Sequence, residues 1–287
     1  DYNEYISETP SPQEHLNLNE MDDDTFPTIY NVHRLQLLGN NSANYSNLSN
    51  MMKSKGNILR ELFISIISIS LISCSFNQQK VLLKKIEGSP AYEDSSLQIK
   101  EIIKSGEKYN FSFDINNYDL GIQTKKEFDY DLANSAKGQH IHFILNNGPY
   151  SAQYDQSFDY ELPDGNNVVL AFLSRSYHES VKNSDAYVLT QIGDSNKINL
   201  ESEFLFYSRP KGTYEGLDTE KLLLDFYLVN TRLSATGNKV KLTIKQGTFT
   251  HQFLIDSWDA YYIEGLDKGD VTIKLELVNN EGNLIET

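Results

Sequence analysis

One cysteine stands in the whole chain, Cys74. No intramolecular disulfide can form, and a multi-cysteine zinc site is excluded. Positive charge is short as well: 25 Lys and Arg face 40 Asp and Glu, a formal net charge of −15. Such a chain repels phosphate backbones, so nucleic acid is not expected as a partner. No stretch carries the period of a long amphipathic helix. Enzyme signatures are missing too: there is no G-x-S-x-G elbow, no H-E-x-x-H and no Gly-rich phosphate loop. Ser174 or Ser176 with His178 and Glu179 stand too close in sequence for triad geometry. A non-enzymatic protein is expected.

What is present begins with an address. The cysteine closes "MMKSKGNILRELFISIISISLISC", residues 51–74. Lys53, Lys55 and Arg60 make a basic head, and Leu62 to Ile72 an apolar run broken only by serines. That run is far shorter than the roughly 20 residues of a membrane-crossing helix. A basic head, a short apolar core and small residues at the end make a signal peptide. Leu71-Ile72-Ser73-Cys74 resembles the lipobox of bacterial lipoproteins. The resemblance implies that Cys74 is diacylated and becomes the anchored N-terminus, two or three acyl chains holding a membrane where one would not. Ser75 after it implies the outer membrane of the cell envelope. A signal peptide works at an N-terminus, yet residues 1–50 precede it, with eight acids against one Arg in residues 1–40. Either translation starts at Met51 or Met52 and 1–50 is non-native, or 1–50 is a disordered acidic extension.

After a tether over 75–97, the chain repeats itself. Asn117 and Leu120 match Asn230 and Leu233. Gly138 matches Gly237, Gly148 matches Gly247, and Gly165 matches Gly269. Both copies read as β. Val240, Leu242 and Ile244 alternate with Lys239, Lys241 and Thr243. In the same phase, Ile141, Phe143 and Leu145 alternate with His140, His142 and Ile144. The expected fold is all-β: two tandem Ig-like β-sandwich domains after the lipoprotein signal peptide, at 98–192 and 204–287, joined by a linker over 193–203. "SSLQIKEIIKSG" is expected as a strand leading into a turn.

The repeat isolates one difference. His140 and His142 fall where the second copy has Lys239 and Lys241, on the face expected to be polar and solvated. Side chains at i and i+2 of a strand point the same way, about 7 Å apart. Two imidazoles so placed can share a copper or zinc ion. His178, in "FLSRSYHES", is the candidate third ligand, if the segment after Val168–Leu173 comes beside the histidine strand. The same face could instead take an organic or peptide ligand, or be plain surface. Tyr150, Tyr154 and Tyr177 near these histidines suit a binding surface. In "SRSYH", Ser174 and Arg175 could hold a phosphate by charge-assisted bonds, although Ser-Arg-x-x-His is one residue longer than the Ser-Arg-x-His element of forkhead-associated domains.

The strings "GQHIHFILNNGPYSAQY" and "AFLSRSYHESVK" resemble a family of uncharacterised lipoproteins of Bacteroidota, some of whose members are labelled phosphopeptide-binding. The residues this resemblance highlights are Gly138, His140, His142, Pro149, Tyr150, Tyr154, Ser174, Arg175, Tyr177 and His178. The expectation is a lipid-anchored binding protein of the cell envelope with a histidine site in domain one. Its partners are the membrane, through Cys74, and an envelope protein or small ligand. The alternatives are a non-catalytic adhesion or assembly module and a phosphate-binding module.

Overall fold

The computed structural model describes residues 31–38, 80–193 and 197–286. Cys74, the apolar run before it and the rest of the N-terminal segment apart from 31–38 lie outside the described residues. Two strands, β1 (Asn31–Leu38) and β2 (Leu82–Lys85), precede the first domain in sequence. The first falls within the segment expected as an extension and the second within the expected tether. The protein is nearly all β, and one 3-10 turn at Gly216–Thr219 is the only helical element among the described residues. No helix among them is long and apolar enough to cross a membrane.

Domain one is a sandwich. One sheet pairs β3 (Ser96–Ser105), β4 (Lys108–Asn116) and β7 (Ser157–Glu161). The other runs β6 (Ser151–Gln153), β5 (His140–Leu145), β8 (Asn167–Ser174), β9 (Tyr187–Ile192). "SSLQIKEIIKSG" is thus a strand, as its alternation predicts. Between the sheets lie Leu97, Phe111, Phe113, Ile141, Phe143, Val169, Ala171 and Leu173.

Domain two repeats the plan. Its first sheet is β10 (Phe204–Arg209), β12 (Leu222–Val229), β15 (Tyr261–Glu264) and then β2. Its second is β11 (Gly212–Glu215), β1, β16 (Gly269–Val278), β13 (Lys239–Gln246), β14 (Phe249–Ile255). The order β3-β4-β7 thus recurs as β10-β12-β15, and β6-β5-β8 as β14-β13-β16. Asn117 and Asn230 recur in conformation as well, at φ +53° and +57°. Each uses its side-chain amide to hold backbone carbonyls of the preceding segment: Asp94 in one copy, Leu200 and Ser202 in the other. Asparagine tolerates this left-handed region where most side chains do not.

The domains stack face to face. The outer face of the β6-β5-β8-β9 sheet packs on the outer face of β10-β12-β15-β2. Ile144, Tyr150, Leu170, Phe172, Phe206, Tyr227 and Val229 form a buried layer between them. Phe172 lies parallel to Tyr227 with centroids 4.5 Å apart, and Trp258 meets Tyr227 edge-on at 5.0 Å. Two strands announce this burial by composition. Residues 168–173 (VVLAFL) and 222–229 (LLLDFYLV) are near-continuous apolar runs, as strands buried on both faces must be. A buried ion pair crosses the same layer, Asp225 of β12 accepting from Ser180 and Lys182 of domain one.

This stacking corrects the expectation for His140 and His142. Their face of β5 is not solvated: both side chains are fully buried, facing the second domain.

Candidate metal centre

His140 and His142 project from β5 on one side, as period two requires. Gly138 sets the approach. At φ +84°, it brings its backbone so close to Ile122 that a Cβ would sit 2.5 Å from that residue's carbonyl oxygen. Its own carbonyl accepts a 2.8 Å hydrogen bond from His140 Nδ1. A carbonyl cannot donate, so Nδ1 carries the proton and the lone pair of the neutral ring lies on Nε2. His142 Nδ1 is likewise held, 3.1 Å from Ser208 Oγ. Ser208 comes from domain two. It is the unpaired residue where the register of β10 against β12 shifts between Tyr207 and Arg209. Bulges of this kind re-aim side chains beside sites.

His178 arrives from the tight loop after β8. Arg175 N donates to the Glu179 carbonyl and His178 N to the Arg175 carbonyl, closing the turn. His178 itself sits at φ +70°, a left-handed conformation that non-glycine residues seldom adopt and that clusters at functional sites. It folds back onto β5: its Nδ1 lies 3.2 Å from His140 Nε2, while His142 Nε2 lies 2.9 Å from the same atom. The three ligand nitrogens all fall within 4.8 Å of one another, and the group could hold a metal ion.

Two further ring nitrogens thus approach one lone pair. A tetrahedral ion with bonds of about 2.0–2.1 Å to nitrogen separates its ligands by about 3.3 Å. Two of the three pairs are already near that spacing. The outward nitrogens of both β5 histidines are held by a carbonyl and a hydroxyl, the usual means of orienting metal-bound imidazole. Burial keeps all three rings neutral. It holds His140 down to about 4, with Arg209 and Lys211 adding to the effect against the Gly138 carbonyl. Burial depresses His142 and His178 as well, helped by the neighbouring rings and the same two cations. Neutral imidazole is the form that ligates.

Aromatic rings close the site. Tyr150, itself buried, stacks on His142 at 3.6 Å with planes 10° apart, and its hydroxyl lies 3.2 Å from His178 Nδ1. Tyr154 stands 5.0 Å from the His140 ring, its hydroxyl bonded to Ser135. The other residues singled out in the sequence go elsewhere. Ser174 is buried at the end of β8, opposite His140 in register, with its hydroxyl on the Arg175 carbonyl. Arg175 is buried and engaged with protein: it donates to the Pro90 and Ser180 carbonyls and ion-pairs with Glu179 at 3.2 Å. Tyr177 turns to Ser89 and packs edge-on against Phe128. Phosphate recognition by "SRSYH" therefore finds its guanidinium already occupied.

Three residues of the site escape a reading of the sequence: Ser208, Arg209 and Lys211. They belong to the other domain, and nothing in "SRPKG" ties it to a histidine strand that precedes it by some sixty residues. Compared with known proteins, the chain matches no family model and no curated protein.

Proposed function

We propose that this protein binds a copper or zinc ion through His140 Nε2, His142 Nε2 and His178 Nδ1, as a binding protein carried on the bacterial cell envelope by a lipid at Cys74. One observation supports the metal: three neutral imidazoles, two of them fully buried and one half-buried, bring their nitrogens within 4.8 Å of one another, the two buried ones tied back through their second nitrogen. Imidazole suits both ions, and among the described residues no thiolate or carboxylate joins the group to favour another class. The anchor rests on the order of basic head, apolar core and lipobox in residues 51–74.

The test is metal content of untagged protein after dialysis against copper or zinc. Uptake of one equivalent and a rise in unfolding temperature are expected, and both vanish in His140→Ala/His142→Ala. Saturation at about a hundred times the dissociation constant adds about 2.7 kcal/mol to stability. Wild-type protein that takes up no stoichiometric metal and shows no thermal shift ends the proposal. For the anchor, incorporation of a palmitate analogue that persists in Cys74→Ala overturns it.

A further inference from the structure

Among the described residues, the charged side chains that act on all three histidines are Arg209 and Lys211. Arg209, at the end of β10, is buried, and its Nε has no hydrogen-bond partner among the described residues. Its guanidinium reaches the Tyr214 hydroxyl through one terminal nitrogen, at 3.0 Å, and stands 5.3 Å from the Tyr150 ring centroid. Lys211 lies 3.9 Å from the centroid of the same ring and donates to the Tyr150 carbonyl. Neither cation forms an ion pair among the described residues. Asp218 feels Arg209 at a distance without bonding to it. Asp225, the register partner of Arg209 on β12, is turned to Ser180 and Lys182.

Burying a charge without a counter-charge is costly, and such groups in native proteins are paired or serve a ligand. Here two cations flank a tyrosine that stacks on one ligand ring and touches another. A divalent ion on three neutral imidazoles adds two more positive charges and leaves a coordination position open. His178, Tyr154 and Lys211 are only half-buried, so solvent reaches the edge of the group at these residues.

We propose that the open position of the metal takes a small anion, an oxyanion or carboxylate of a few atoms, held against Arg209 and Lys211. The inference rests on the metal site proposed above. The anion supplies the negative charge that the protein withholds: one of its atoms meets the metal and another accepts from Arg209 Nε–H. An arginine in this place also selects for planar acceptors over a lone halide.

The experiment uses full-length protein loaded with Cu(II), titrated with azide and separately with bicarbonate while the visible bands of the metal are recorded. Saturable spectral change is expected with both. Arg209→Gln should weaken both by about tenfold, the size of one charge-assisted hydrogen bond. Lys211→Gln, at a half-buried position that folding tolerates better, should weaken both by a smaller factor. Copper content should stay at one equivalent in each. Copper that loads while neither anion moves the bands overturns the anion site and leaves the metal site standing. So does a charge-transfer band from Tyr150 that is present without added anion and blocks azide, or an unchanged anion affinity in both variants. Failure of copper to load removes the metal site and this one with it.

Discussion

β5 and β13 are the same strand of two copies of one unit, and they have opposite surroundings. Each lies between a hairpin partner and the strand that ends the repeat, and each turns its apolar residues into its own sandwich. On the outside, Lys239 and Lys241 of β13 stay half-exposed, and Lys241 pairs with Glu276 across the sheet at 3.0 Å. On β5 the outside is covered by the second domain, and His140 and His142 are sealed. The domains stack unlike face on unlike face: the second sheet of copy one meets the first sheet of copy two. Among the described residues, no sheet covers the equivalent face of copy two. A polar pair on a strand becomes a candidate metal site only where a neighbouring sheet removes water and supplies orienting groups.

The largest effect that would break this comparison is loss of metal. His140→Ala/His142→Ala should abolish stoichiometric uptake. Lys239→His/Lys241→His, the same pair grafted on β13, should not create it, because no third histidine nitrogen joins that face and no sheet covers it among the described residues. A grafted site as tight as the native one, measured by competition with a chromogenic chelator, would show that the interface is dispensable. Next comes packing. Phe172→Ala, which empties a space against Tyr227, should cost about 3–5 kcal/mol in urea unfolding. Leu254→Ala on the exposed side of β14 should cost about 0.5 kcal/mol or less.

Acid separates the copies too. Burial lowers the His140 pKa in the folded state, so the unfolded chain binds the proton more readily. Stability is full above the ordinary value of 6.5 and falls as pH drops toward about 4. His140 alone contributes on the order of 3 kcal/mol to that loss in metal-free protein, and His142 and His178 act in the same direction. Urea midpoints at pH 7.5 and 5 should differ in the wild type and draw closer when His140 and His142 are replaced together, the remaining difference belonging to His178. Ser208→Ala, which frees His142 Nδ1, should weaken metal binding by about tenfold while leaving the fold intact by circular dichroism. The smallest effect belongs to copy two: Lys241→Ala removes a surface ion pair and should cost less than about 1 kcal/mol in the same urea assay.

Much of the fold was legible. Alternation in "KVKLTIK" and "HIHFIL", the repeated asparagines and the glycine turns announce strands and their phase, because side-chain direction along a strand depends only on parity. The face that the histidines share was legible for the same reason. The burial of this face also has a signal in the sequence. Ile144 continues the supposed polar face, and the runs at 168–173 and 222–229 leave no polar side for solvent. Ser208, Arg209 and Lys211 had none, since their role comes from how one sandwich lands on another.

From local pattern alone, then, the chain determined its β character, its duplication and the common direction of His140 and His142. Tertiary structure alone decided that His178 folds back to within 3.2 Å of His140 and that domain two seals the group. It also decided that a buried arginine and a half-buried lysine stand beside the group, neither in an ion pair among the described residues. Parity is a property of neighbouring residues. Burial and charge balance at an interface belong to surfaces that meet only when both domains have folded.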